Sequence, residues 1–205
     1  SAASDVYKRQ VHFIFSGSKQ HLMAEMFGSA KRPFYRSTEK MNLASIPLEH
    51  YSLFAIRWMQ AGGKELSDEL FQMIYRRFNG HTWYVQYVLN RLYEQKEPVL
   101  NETIFEKCLA DIVRSEVDEY QRLYGMLTEN QSTLLRAIAR EQFVTAINSS
   151  IFIKKYGLKG SSSINAALKF LINKEYVFKA EEGYCVYDRF MELWLQTLPY
   201  AGILK

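Results

Sequence analysis

The sequence predicts a mainly α protein with minor β, in three parts. These are the closing strands of a parallel α/β core, a helical middle, and a three-helix unit completed by a β-hairpin. Three observations predict it. The apolar run Val11–Phe15 stops abruptly at Ser16-Gly17-Ser18, the pattern of a strand buried on both faces. From Pro47 to Leu127, apolar residues recur at helical spacing. Beyond Glu129-Asn130, three amphipathic segments precede two alternating ones joined by Glu181-Glu182-Gly183, an acidic-glycine hairpin signal.

Composition narrows the class. A chain of 205 residues suffices for one to two domains with their own cores. Hydrophobic content of 48% and charged content of 23% are ordinary for a soluble globular protein. Aromatic content is 15%, with 14 Tyr and 13 Phe, so aromatic-rich cores are expected. No run approaches the roughly 20 apolar residues that span a membrane, and no signal peptide is present, so no membrane partner is expected. Cys108 and Cys185 lie far apart without metal-ligand spacing and read as buried thiols of a cytoplasmic protein. The net charge of +4 is too small to argue for nucleic acid by itself.

Residues 1–10 stand apart. Asp5–Gln10 back-translates to GAT-GTG-TAT-AAG-AGA-CAG, the end of a common transposase sequencing adapter, and the preceding Ser-Ala-Ala-Ser fits the same oligonucleotide. They are read as a non-native tail and set aside from fold reasoning. The expectation is a chain cut by library fragmentation rather than at a domain boundary.

The pattern then runs in order. After the opening strand, Lys19–Phe27 has helical spacing, with Ser18 as N-cap and Gly28 as terminator. A basic loop, Lys31–Ser37, leads to an alternating strand, Met41–Ser45. Pro47 suits the first turn of a helix closed by Gly62-Gly63, and Ser67-Asp68 opens one that ends near Asn79-Gly80. A third helix starts at His81 or Thr82 with a broad apolar face, and a longer one is expected from Glu102 to Leu127. Helices over 131–141 and around Ile151–Tyr156 follow, with a third beyond the turn Leu158-Lys159-Gly160 and Ser161-Ser162-Ser163. The last has Ile164, Ala167, Leu168, Leu171 and Ile172 in register. Strands over 176–180 and 184–187 and a final helix over 189–198 complete a winged helix-turn-helix. The parts expected are thus 11–47 (end of the α/β core), 48–128 (helical lid) and 129–205 (winged helix domain).

Several segments recur together in one known family. Phe13-Ile14-Phe15-Ser16-Gly17-Ser18, the Arg32-Pro33-Phe34-Tyr35-Arg36 loop, Gly80-His81-Thr82-Trp83-Tyr84, and Tyr187-Asp188-Arg189-Phe190 with Trp194-Leu195 occur here in that order. Over residues 11–197 the chain resembles the archaeal-type ATPase family of AAA+/STAND P-loop NTPases. The resemblance implies that the core is the remnant of a P-loop α/β domain and that ATP and Mg²⁺ are cofactors of the intact parent. It implies Ser16 as a sensor of the γ-phosphate and Arg36 as a guanidinium near the phosphates; both would be catalytic. Such a hydroxyl orients the attacking water, and such a cation neutralises developing charge. Ser18 is either a phosphate-side contact or the cap of the next helix. For Arg36 the alternatives are Arg32 or a solvated basic loop. Gly80, His81 and Thr82 stand where the family has its Gly-x-Pro lid motif beside the adenine, with Thr82 in place of proline. The plain alternative is a helix C-cap followed by core aromatics.

The phosphate loop Gly-x-x-x-x-Gly-Lys-Ser/Thr does not occur, nor does an apolar strand ending in paired carboxylates. ATP would therefore be held through upstream residues, and residues 11–205 alone are expected to bind no cofactor tightly and to hydrolyse no ATP. The second candidate site is the winged helix. Residues 151–179 carry Lys154, Lys155, Lys159, Lys169, Lys174 and Lys179 against one acid, Glu175. Lys159, Ser162, Ser163, Asn165 and Lys169 are the candidate DNA contacts, on a helix that suits the major groove. Arginine is absent there, and Glu181-Glu182 on the wing would repel phosphate. The functional expectation is an ATPase whose lid and winged helix respond to nucleotide. The alternative is a winged-helix DNA-binding or regulatory protein without ATPase activity, with DNA or protein as partner.

Overall fold

Proline, glycine and capping side chains set the element boundaries. The computed structural model of the protein describes residues 14–15, 26–28, 30–31, 35, 39, 41, 43–180 and 182–199. The chain divides into two units, 1–44 and 45–205.

In the first unit, Met26–Gly28 is helical and Phe27 is buried, its ring 5.3 Å from that of Phe15. Of the ribbon expected over 11–15, only Ile14 and Phe15 are described; both are irregular and exposed. The strand expected over 41–45 is also corrected: Met41 and Leu43–Ser45 are irregular and exposed. A ribbon without adjacent strands leaves a row of backbone donors and acceptors unpaired, so apolar patterning alone makes no ladder.

The second unit begins with α1 (Leu48–Ala61), which follows Pro47 and ends at Gly62. In α2 (Asp68–Arg77) the Ser67 hydroxyl accepts the Leu70 N–H at 3.1 Å. Asn79 and Gly80 then turn through left-handed φ values of +49° and +68°, and α3 (Thr82–Tyr93) starts. The helix expected over 102–127 is two: α4 (Glu102–Ser115) and α5 (Val117–Gly125), broken at Glu116. The break lets α4 bury Phe105, Cys108, Leu109 and Ile112, while α5 sets Tyr120 and Tyr124 on Trp194, at 5.7 and 5.6 Å.

A Thr128–Gln131 capping box starts α6 (Glu129–Glu141) two residues earlier than the apolar periodicity alone indicates. Ser149 caps α7 (Ser150–Tyr156), which Gly157 ends in the left-handed region at φ +59°. Helix α8 (Ser161–Asn173) leads to β1 (Val177–Lys179) and β2 (Tyr184–Val186), antiparallel with Val177 opposite Val186. Asp188 caps α9 (Arg189–Thr197), accepting from the N–H groups of Phe190 and Met191. Helix α6 packs against α8, α9 and β2, and α9 also meets α4 and α5. The hairpin gains a third edge at Val144, which exchanges two 2.9 Å hydrogen bonds with Tyr184. Gly183 permits that approach: a Cβ there would lie 2.7 Å from the Val144 backbone.

Candidate functional site

Helix α8 turns one stripe outward. Ser162, Asn165, Ala166 and Lys169, at the i, i+3, i+4, i+7 spacing, are exposed, while Ile164, Ala167, Leu168 and Leu171 are buried against the core. The helix contains no acidic residue, and its N-cap, Gly160, offers no side chain to the first-turn amides. Its N-terminus therefore presents partial positive charge beside Ser161 and Ser162. Asn165 is not a free surface amide. Its Oδ1 accepts a 2.9 Å hydrogen bond from Nδ2 of Asn148, which lies just ahead of the α7 cap.

Two of the expected DNA contacts sit differently. Ser163 is half-buried and lines a small cavity of about 50 Å³ with Glu129, Asn130 and Thr133. One residue of α-helix rotates a side chain by about 100°, which carries Ser163 off the outward stripe toward α6. Lys159 is exposed but lies 3.9 Å from the Glu129 carboxylate. Lys155 pairs with Glu141 at 2.6 Å, holding that carboxyl below its ordinary range with help from Tyr156. Among the described residues, Lys154, Lys169 and Lys174 make no ion pair, so their charge faces solvent.

The 80–82 segment divides between two environments. Gly80 is buried at φ +68°, where a Cβ would meet the Tyr75 ring at 2.5 Å. Its place is a helix terminator under Tyr75. His81 occupies the N-cap position of α3 without a side-chain cap bond and packs its ring 4.9 Å from that of Tyr84. The residue is exposed overall, but desolvation of the ring holds its pKa below the ordinary histidine value, and Arg189 pushes the same way. Thr82 lines a groove of about 830 Å³ between α1 and α3. The groove walls include Tyr51, Phe54, Trp58, Leu89 and Tyr93, with Phe54 59% and Trp58 62% exposed. Ser16, Ser18, Arg32 and Arg36 lie outside the described residues.

Tyr84 joins this helix to the start of α9. Its ring stacks on Phe78 at 5.6 Å and meets Phe190 at 5.1 Å. Its hydroxyl accepts from the Arg189 N–H at 3.2 Å and lies 3.4 Å from the Tyr187 carbonyl. Burial, with Asp188 nearby, pushes that phenol up to about 12. Inside α9, Arg189 and Glu192 form a buried ion pair at 3.0 Å, and the guanidinium lies 5.2 Å from the Phe143 ring. Glu192 Oε1 has no partner among the described residues, and burial lifts its carboxyl to about 7 against the pull of Arg189. Cys108 and Cys185 are both buried free thiols, pushed up to about 11 chiefly by burial.

Residues 118–197 match a family model described as a probable winged helix domain. No curated protein and no solved structure matches the chain. The matched span runs from α5 through α9, and the small antiparallel sheet in a mainly helical chain agrees with it. The match does not extend to residues 11–117, on which the resemblance to the ATPase family also rests. No described helix is long and apolar enough to cross a membrane, and no described cluster of three His, Cys, Asp or Glu could hold a metal ion.

Sequence reasoning missed Asn148 and the groove. Asn148 has no periodic signature; its position ahead of Ser149 signals only a helix start. The groove had a signal in α1, whose apolar residues Tyr51, Leu53, Phe54, Ala55, Trp58 and Met59 cover too wide an arc for a single buried face.

Proposed function

We propose that residues 118–197 serve as a winged-helix regulatory module that docks α8 on duplex DNA. One observation carries the reading: from Ser161 to Lys169 the outward stripe of α8 is small, polar or cationic, with Ile172 exposed only in the last turn, on a helix without a single carboxylate. Phosphate contacts would come from Lys169, Lys154 and Lys174 and from the α8 N-terminus, and base contacts from the stripe. Glu182 on the wing turn repels phosphate, so α8 rather than the wing makes the approach. Gel shifts with a duplex at low and at moderate salt test it: retention at low salt should weaken steeply as salt rises. No retention at low salt eliminates DNA and leaves a protein partner for the module.

A second reading has its own support. The open groove beside Thr82 is the kind of apolar surface a helical lid turns toward a nucleotide-binding core, which favours the chain as part of an AAA+/STAND-like ATPase. ATP and Mg²⁺ would then be held mainly by residues outside this sequence, and lid and winged helix would respond to nucleotide. Recovery of the upstream reading frame tests it: a phosphate loop followed by an acidic strand is expected, and their absence sinks it.

A further inference from the structure

The reading of α8 as a DNA-docking helix has a consequence for which base it recognises. Among the outward residues, Ser162 and Lys169 are compatible with several base edges, and Ala166 offers only a methyl group. Of these four, Asn165 is the one side chain that carries a donor and an acceptor in fixed planar relation; Asn173, the last residue of α8, carries the same amide at the far end of the helix. Adenine presents the complementary pair in the major groove, an N7 acceptor and an N6 amino donor. Guanine is read best by arginine or lysine and cytosine by a carboxylate; α8 has no arginine and no acid, and its single lysine, Lys169, is the residue assigned above to phosphate.

The second observation is the orientation of the amide. Asn148 Nδ2 donates to Asn165 Oδ1 at 2.9 Å, so the turn ahead of α7 holds the reading side chain of α8. The Oδ1 atom keeps a second lone pair for the adenine amino group, and Nδ2 keeps its hydrogens for N7. Holding the amide before contact removes part of the ordering cost that an exposed side chain otherwise meets on binding. Ala166, its neighbour on the stripe, is small enough to admit the methyl group of the thymine paired with that adenine.

We infer that Asn165, oriented by Asn148, is the residue that sets sequence preference, reading adenine in the major groove, with Asn148 as its positioning residue. The inference rests on the DNA-docking reading above. It is tested with the 205-residue chain and a duplex library randomised over a central window, selected at low salt and sequenced. The variants are Asn165→Ala, Asn148→Ala and Lys169→Ala, each first checked for an unchanged thermal midpoint.

Wild type should enrich adenine at one position of the selected window. Asn165→Ala should reduce that discrimination about 5- to 100-fold while binding unselected duplex nearly as well. Asn148→Ala should lower the adenine preference without changing affinity for unselected duplex, a separation that a merely structural role would not produce. Lys169→Ala should weaken all sequences alike and leave the preference intact. If Asn165→Ala keeps the preference, or wild type binds every sequence equally, the inference is overturned and DNA docking stands. If wild type retains no duplex at low salt, the docking reading itself fails and takes this inference with it.

Discussion

Glu192→Gln should remove the loss of stability that the Glu192 carboxyl causes as pH rises from 5 to 8. Glu192 is 6% exposed and, among the described residues, paired only with Arg189. Its carboxyl stands at about 7 in the fold against an ordinary 4.5. A group whose pKa rises on folding contributes stability that is complete below its unfolded value and lost as pH climbs through its folded value. The gap corresponds to about 3 kcal/mol at about 1.36 kcal/mol per pH unit, so wild type should be less stable at pH 8 than at pH 5 by up to that amount. His81 acts in the opposite sense. Its depressed pKa means that stability falls as pH drops through the ordinary histidine range, so the wild-type curve is the sum of two slopes. The difference between wild type and Glu192→Gln isolates the carboxyl, because the amide keeps the neighbouring shape and cannot ionise. Urea unfolding followed by the fluorescence of Trp194, buried under Tyr120 and Tyr124, reads it at each pH. Parallel curves for the two proteins across this range would refute the reasoning.

Substitutions at four further positions probe the fold around α8 and the groove wall. Gly183→Ala should cost about 1–3 kcal/mol, because φ is +139° and the Val144 backbone lies 2.7 Å from the new Cβ; thermal unfolding and lost amide protection at Val144 and Tyr184 would register it. Asp188→Ala removes the cap on the Phe190 and Met191 N–H groups, at 2.8 and 3.2 Å, and should cost about 1–2 kcal/mol, with Asp188→Asn recovering most of it in the same assay. Leu135→Ala in the α6 core should cost about 2–5 kcal/mol, whereas Trp58→Ala on the groove wall should stay within about 0.5 kcal/mol in urea unfolding, since the two side chains are 0% and 62% exposed.

Local chemistry made the helices readable. Ser67, Asn101, Ser149 and Asp188 each accept the backbone N–H that their place in the chain suggests, and Gly157 ends α7 in the conformation a C-cap glycine favours. Helix α8 was legible in most of its register: Ile164, Ala167, Leu168 and Leu171 are buried as their spacing indicates, while Ile172, expected with them, is exposed. The break at Glu116 was not legible: nothing in Glu102–Leu127 forbids one helix, and the rings of Tyr120 and Tyr124 find Trp194 only after seventy residues of intervening chain have folded. Met41 and Leu43–Ser45 show the converse: they are irregular, since strand patterning without a paired neighbour does not produce a strand.

By itself the sequence determined where most helices start and stop, which face of α8 is mainly apolar, and that a glycine turn joins two short strands. Those features depend on groups a few residues apart, whose geometry the chain imposes wherever it folds. Only the tertiary structure decided that Asn148 orients Asn165, that Val144 adds an edge to the wing, that Glu192 is buried beside Arg189, and that Phe54 and Trp58 stand open along a groove. Each of these is a contact, or a missing one, between elements separated in sequence. Burial and partnership there depend on how whole faces pack, and no local pattern records that.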